Sequence, residues 1–152
     1  MDLWLAMGGG FLVAVLWMDL MFDVASLGPR KAGCLPEETL AKVAAYYRRV
    51  TTEAAPMDKL IGLVMASMVA VLLQQAARGP AEGRMVALGS LALCGVPIVL
   101  ALGHIFPAAR RLGARQDGLQ EQTQLARGIA HAHLACLGAM AAFLAVRLLA
   151  AG

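Results

Sequence analysis

With 152 residues, 60% hydrophobic and only 15% charged, the chain lies outside the range of soluble domains, which carry about 25% charged residues. A mean hydropathy of +0.69 makes the lipid bilayer its main partner. The net charge of +3 is better read as loop charge that sets membrane topology than as a nucleic-acid surface. An odd number of cysteines without CxxC spacing (Cys34, Cys94, Cys136) excludes a disulfide framework and gives no structural zinc site.

A membrane-crossing helix needs roughly 20 mostly apolar residues. Residues 3–25, 60–77, 85–106 and 128–150 meet that need, and residues 1–152 read as one transmembrane domain. The first span begins Met-Asp-Leu-Trp without a basic leader, so it reads as a retained helix and not a signal peptide. Gly8, Gly9 and Gly10 within it suit close helix packing, and Gly28-Pro29 ends it. Pro36-Glu37-Glu38 then opens a helix over residues 36–50, because proline and early carboxylates suit a first turn. Leu40, Val43, Ala44 and Tyr47 recur there at helical spacing, with Lys42, Arg48 and Arg49 interspersed. That pattern predicts an amphipathic helix on the cytoplasmic membrane surface, near anionic lipid.

The second span follows Pro56. The third contains Pro97, which should kink it, and Pro107, which should end it. A short polar loop from Leu112 to Thr123 leads to the fourth. That span's small residues Gly128, Ala132, Ala135, Gly138, Ala139 and Ala142 suit tight packing inside the bundle. The expected fold is therefore an all-α, up-and-down bundle of four transmembrane helices with an amphipathic interfacial helix. Ten of the thirteen Lys and Arg residues fall in the first and third connections, leaving Arg78, Arg84 and Arg147 on the other side. By the positive-inside rule these two connections are cytoplasmic and both termini outside, in a bacterial inner membrane.

The residues that an apolar helix should not contain carry the functional expectation. Asp19 and Asp23 lie one turn apart in the first span, His104 near the end of the third, and His131 and His133 just inside the fourth. All five fall in the same cytoplasmic third of the bilayer, within roughly 10 Å of its surface at about 1.5 Å per residue. Intramembrane ionisable groups are costly and usually face the bundle interior. Carboxylates with imidazoles suit a transition metal or haem, and equally suit proton transfer, or they form a structural ion-pair cluster. Asp23 has Arg30 or Arg110 within reach, and Asp19 has Arg111 or a histidine. His131 and His133 stand roughly 200° apart around the helix, so only one can enter a shared site. Trp17 lies beside Asp19, whose carboxylate suits its indole N–H.

Leu16-Trp17-Met18-Asp19 and Tyr46-Tyr47-Arg48-Arg49, with the four-span layout, resemble small bacterial four-helix membrane families. These are the HemJ-type haem-biosynthesis oxidases, the CopD-like copper-resistance proteins and the anthrone-oxygenase-like domain. The resemblance implies the bundle fold and a haem or metal redox role. The first span departs from the haem pattern, with Asp19 and Asp23 where an axial histidine is expected, so no catalytic residue carries over. No GxGxxG, P-loop, HExxH or nucleophile elbow is present. Two functions follow as expectations. One is a metal- or haem-binding redox protein with a site drawn from Asp19, Asp23, His104, His131 and His133. The other is a non-enzymatic accessory or proton-path subunit, working with a membrane-protein partner or as a homo-oligomer.

Overall fold

The computed structural model describes residues 2–28, 33–53 and 55–150. All regular structure there is helical: α1 (Leu3–Asp23), α2 (Glu37–Thr52), α3 (Ala55–Arg78), α4 (Ala81–Leu100), α5 (Phe106–Ala114) and α6 (Leu119–Leu149). A 3₁₀ turn, Val24–Leu27, closes α1, and a π turn, Ala101–Ile105, joins α4 to α5. Four helical stretches are long and apolar enough to cross a membrane: Leu3–Leu27, Met57–Arg78, Ala81–Ala114 and Leu119–Leu149.

These four form a closed ring in chain order, with α1 and α4 each packed against both α3 and α6. The helix ends show the alternating direction. The Asp2 carboxylate caps α1 by accepting from the Trp4 amide (3.0 Å) and also accepts from Gln75 near the end of α3 (3.2 Å). Close approach depends on two of the three consecutive glycines. A Cβ on Gly8 would fall 2.7 Å from the Met68 sulfur, and one on Gly9 2.7 Å from a Leu144 methyl, whereas Gly10 faces open space. Leu5, Leu12, Met68, Leu72, Cys94, Met140 and Phe143 fill the half of the bundle around these glycines.

The second core lies at the opposite, basic end, and there the structure corrects the sequence reading. The apolar face of α2 does not lie against lipid. Leu40, Val43, Ala44 and Tyr47 are buried against Ala108, Ala109 and Leu112 of α5 and Ala126 and Ile129 of α6. At Gly113 a Cβ would stand 3.0 Å from the Arg48 backbone, so α2 and α5 meet almost main chain to main chain. A surface for α2 exists because Pro107 does not stop the third span. The Phe106 amide reaches back five residues to the Ala101 carbonyl. This widened turn absorbs the missing proline donor and its bulk, and the helix resumes as α5.

The fourth helix likewise starts at Leu119, nine residues before its apolar run at Gly128, so the expected polar loop shrinks to residues 115–118. Arg115 takes the left-handed conformation (φ 55°) that ends α5, and its guanidinium pairs with Glu37 at the start of α2. Of the small residues on α6, Ala132 is buried as expected, whereas Ala135, Gly138 and Ala142 face outward. Pro29 and Arg30 lie outside the described residues.

Candidate functional site

α1 ends at the level of α2, and its last two turns face both α2 and α6. One polar side chain from each direction meets each carboxylate. Asp23 is fully buried. Its Oδ1 accepts from the Tyr47 hydroxyl at 2.6 Å, and its Oδ2 lies 2.6 Å from His133 Nδ1. An ionised carboxylate can only accept, so Nδ1 carries a hydrogen, and in the neutral ring Nε2 holds the lone pair. That Nε2 faces Asp19 Oδ2 at 3.9 Å. Asp19 Oδ1 accepts from Tyr46 at 2.5 Å, and the Tyr46 ring stacks on Phe22 (4.1 Å, 10°).

The result is a line of five groups, Tyr46–Asp19–His133–Asp23–Tyr47, with one interval longer than a hydrogen bond. Exposure falls along it: the Asp19 side chain is 21% exposed, that of His133 6%, and that of Asp23 not at all. α2 lies outside the membrane-spanning stretches. Burial, then the hydrogen bond and charge of Asp19, hold the Tyr46 phenol well above its usual range. Burial, then the charge and hydrogen bond of Asp23, do the same for Tyr47. Both phenols therefore remain protonated donors that fix the carboxylates in place.

Three of the five residues expected in the site converge, Asp19, Asp23 and His133, and two do not. His131 points outward and bonds the Arg127 carbonyl of its own helix through Nδ1 (2.6 Å). His104 is exposed on the far side of α6, over Gly128, where a Cβ would meet its Nε2 at 2.9 Å. The arginine partners also differ from expectation, since Arg111 binds Asp117 (2.9 Å) and Glu121 (3.5 Å). Trp17 is 62% exposed on the outer face, and Asp19 takes its hydrogen bond from Tyr46.

By spacing Tyr47 belongs to the apolar face of α2, and neither phenol stands out in the sequence as a site residue. The signal was a pair of hydroxyls on the one helix able to fold back over α1. Sequence could also have chosen His133, because it shares a face with Cys136 and Met140, both core residues.

A bound metal would find only two donors facing one another here, His133 Nε2 and Asp19 Oδ2, since the other carboxylate oxygens and Nδ1 are engaged in hydrogen bonds. Among the described residues, no group of three or more His, Cys, Asp or Glu side chains could hold a metal ion. No family model matches the chain, and no curated protein or solved structure is detectably similar to it.

Proposed function

We propose that this chain is a non-enzymatic, multi-pass membrane protein that binds and relays a proton at the cytoplasmic end of its bundle, as an accessory or proton-path subunit of a membrane assembly. The observation that carries this reading is the graded line from partly exposed Asp19 through His133 to fully buried Asp23. Its orientation, with the basic end in the cytoplasm of a bacterium, rests on the distribution of Lys and Arg.

The chemistry requires only what these side chains supply. A proton reaching Asp19 stands opposite the one free nitrogen of His133. A modest rotation closes 3.9 Å to hydrogen-bond range, about 2.8 Å, and transfers the proton to Nε2. The imidazolium so formed is held by Asp23 through Nδ1–H, and loss of that Nδ1 proton to Asp23 completes one passage. Beyond Asp23, in the following 3₁₀ turn, the Ser26 hydroxyl is fully buried with no protein partner among the described residues. Such a group calls for a water, which would give Asp23 an onward contact.

The test is difference infrared spectroscopy of the protein in lipid, titrated from acid to neutral pH. A protonated-carboxyl band that changes across this range, shifts in Asp19→Asn and disappears with its imidazole counterpart in His133→Gln is the expected result. If neither carboxyl nor imidazole bands change over that range in the folded protein, the cluster is a structural tie and the relay reading fails.

A further inference from the structure

The two histidines excluded from the buried cluster have a common surrounding of their own. His131 is anchored to the Arg127 carbonyl (2.6 Å), leaving Nε2 directed outward. His104, in the π turn that follows α4, lies against Gly128, the residue next to Arg127, so this turn and α6 bring the three basic residues together. Arg127 itself is half-buried, and its Nε is enclosed without a hydrogen-bond partner. None of the three has an acidic partner among the described residues. The acids nearest in sequence, Asp117 and Glu121, are taken by Arg111.

A half-buried cation and two exposed imidazoles near the end of membrane-spanning helices, unmatched by acid among the described residues, call for an anionic oxygen from outside. The surface above them suits a hydrocarbon chain. Along α6, beyond His131, the exposed residues Ala135, Gly138 and Ala142 leave a shallow track, because nothing lies within 4 Å of where a Gly138 side chain would begin. Val99 of α4 and Leu102 of the π turn are likewise exposed. These are small and apolar positions that the bundle does not use internally.

We propose that Arg127, His104 and His131 form a headgroup site for an anionic phospholipid, with one acyl chain lying along the small-residue track of α6. The phosphate accepts from the Arg127 guanidinium and from a ring N–H of His104; His131, whose Nδ1–H is spent on the Arg127 carbonyl, borders the site and donates from Nε2 only as an imidazolium. The lipid thereby covers a surface that would otherwise present unmatched donors at the membrane boundary.

The experiment places the full chain in phosphatidylcholine vesicles containing a trace of spin-labelled phosphatidylglycerol or spin-labelled phosphatidylcholine. Electron spin resonance then reads the fraction of each lipid immobilised on the protein. Phosphatidylglycerol should be preferred, and Arg127→Gln should reduce the preference by roughly fivefold, the usual worth of one basic group beside anionic lipid. Gly128→Ala leaves every charge in place but pushes His104 aside, so it should also lower the preference; Lys42→Gln, on exposed α2, should not. Equal immobilisation of the two lipids by the native protein, or a preference unchanged in both Arg127→Gln and Gly128→Ala, overturns the site. Displacement of labelled phosphatidylglycerol by inorganic phosphate alone overturns the lipid assignment in favour of a soluble anion.

Discussion

The two tyrosines of α2 form similar hydrogen bonds in different surroundings, and removing each hydroxyl separates the surroundings from the bond. Tyr47→Phe deletes a 2.6 Å bond to a carboxylate with no exposure, leaving Asp23 Oδ1 enclosed and unmatched. A hydrogen bond to a charged group contributes about 1.5–3 kcal/mol, and an abandoned buried acceptor falls at the upper end, so about 2–3 kcal/mol is expected. That corresponds to a roughly 30- to 150-fold change in the unfolding constant. Tyr46→Phe deletes a 2.5 Å bond to a carboxylate that retains 21% side-chain exposure, and water can take the empty position. Its cost should be about 1 kcal/mol or less, and the surviving phenyl ring keeps its stack on Phe22. Equilibrium unfolding in mixed micelles with a rising fraction of denaturing detergent, followed by helical circular dichroism, measures both variants. Equal costs, or a larger one for Tyr46→Phe, would falsify the assignment of Asp23 as the enclosed end of the line.

Because the chain has only two tyrosines, tyrosinate absorbance reports on this site alone. Both phenols are raised in the fold, so their contribution is intact below the ordinary tyrosine pKa of about 10 and is lost as pH climbs through the folded values. In an alkaline titration the absorbance should rise only together with loss of helix, and a rise near pH 10 in the folded protein would count against the buried hydrogen bonds. At the other end of the bundle, Gly9→Val should lower thermal stability in detergent sharply, since its Cβ would stand 2.7 Å from Leu144. Gly10→Ala faces open space and should stabilise by about 0.5–1 kcal/mol through helix propensity; a destabilising Gly10→Ala would show the helix face to be misplaced. Cys34 is exposed at the basic end while Cys94 and Cys136 are buried, so a membrane-impermeant maleimide should label the native protein in inverted vesicles and not in intact cells. The reverse pattern would invert the topology.

Much of this fold was legible because a span is a matter of length and hydropathy, and both are local properties. The depth of Asp19, Asp23 and His133 could be counted at a fixed rise per residue. Their azimuth could not, because it depends on which face of α6 meets α1, a property of two segments more than a hundred residues apart. The extent of the third and fourth helices was misjudged for a different reason. Apolar content ends at Phe106 and begins at Gly128, but helical backbone does not follow it: the π turn carries the chain past Pro107, and Gln122 and Thr123 are buried where polarity suggested a loop. α2 was misassigned to lipid because an amphipathic pattern states that one face is covered and not by what.

The dependence of α2 on later sequence also imposes an order on biogenesis. α2 ends at Thr52, while the α5 surface that buries it is complete only at Ala114. At roughly 5–20 residues per second, a ribosome leaves α2 without its final partner for about 3 to 12 s. During that interval its Leu40–Val43–Tyr47 face is an uncovered apolar stripe, the kind of face that binds a membrane surface where one is at hand. The interval before α5 is made is thus the stage at which a chaperone would have α2 to hold.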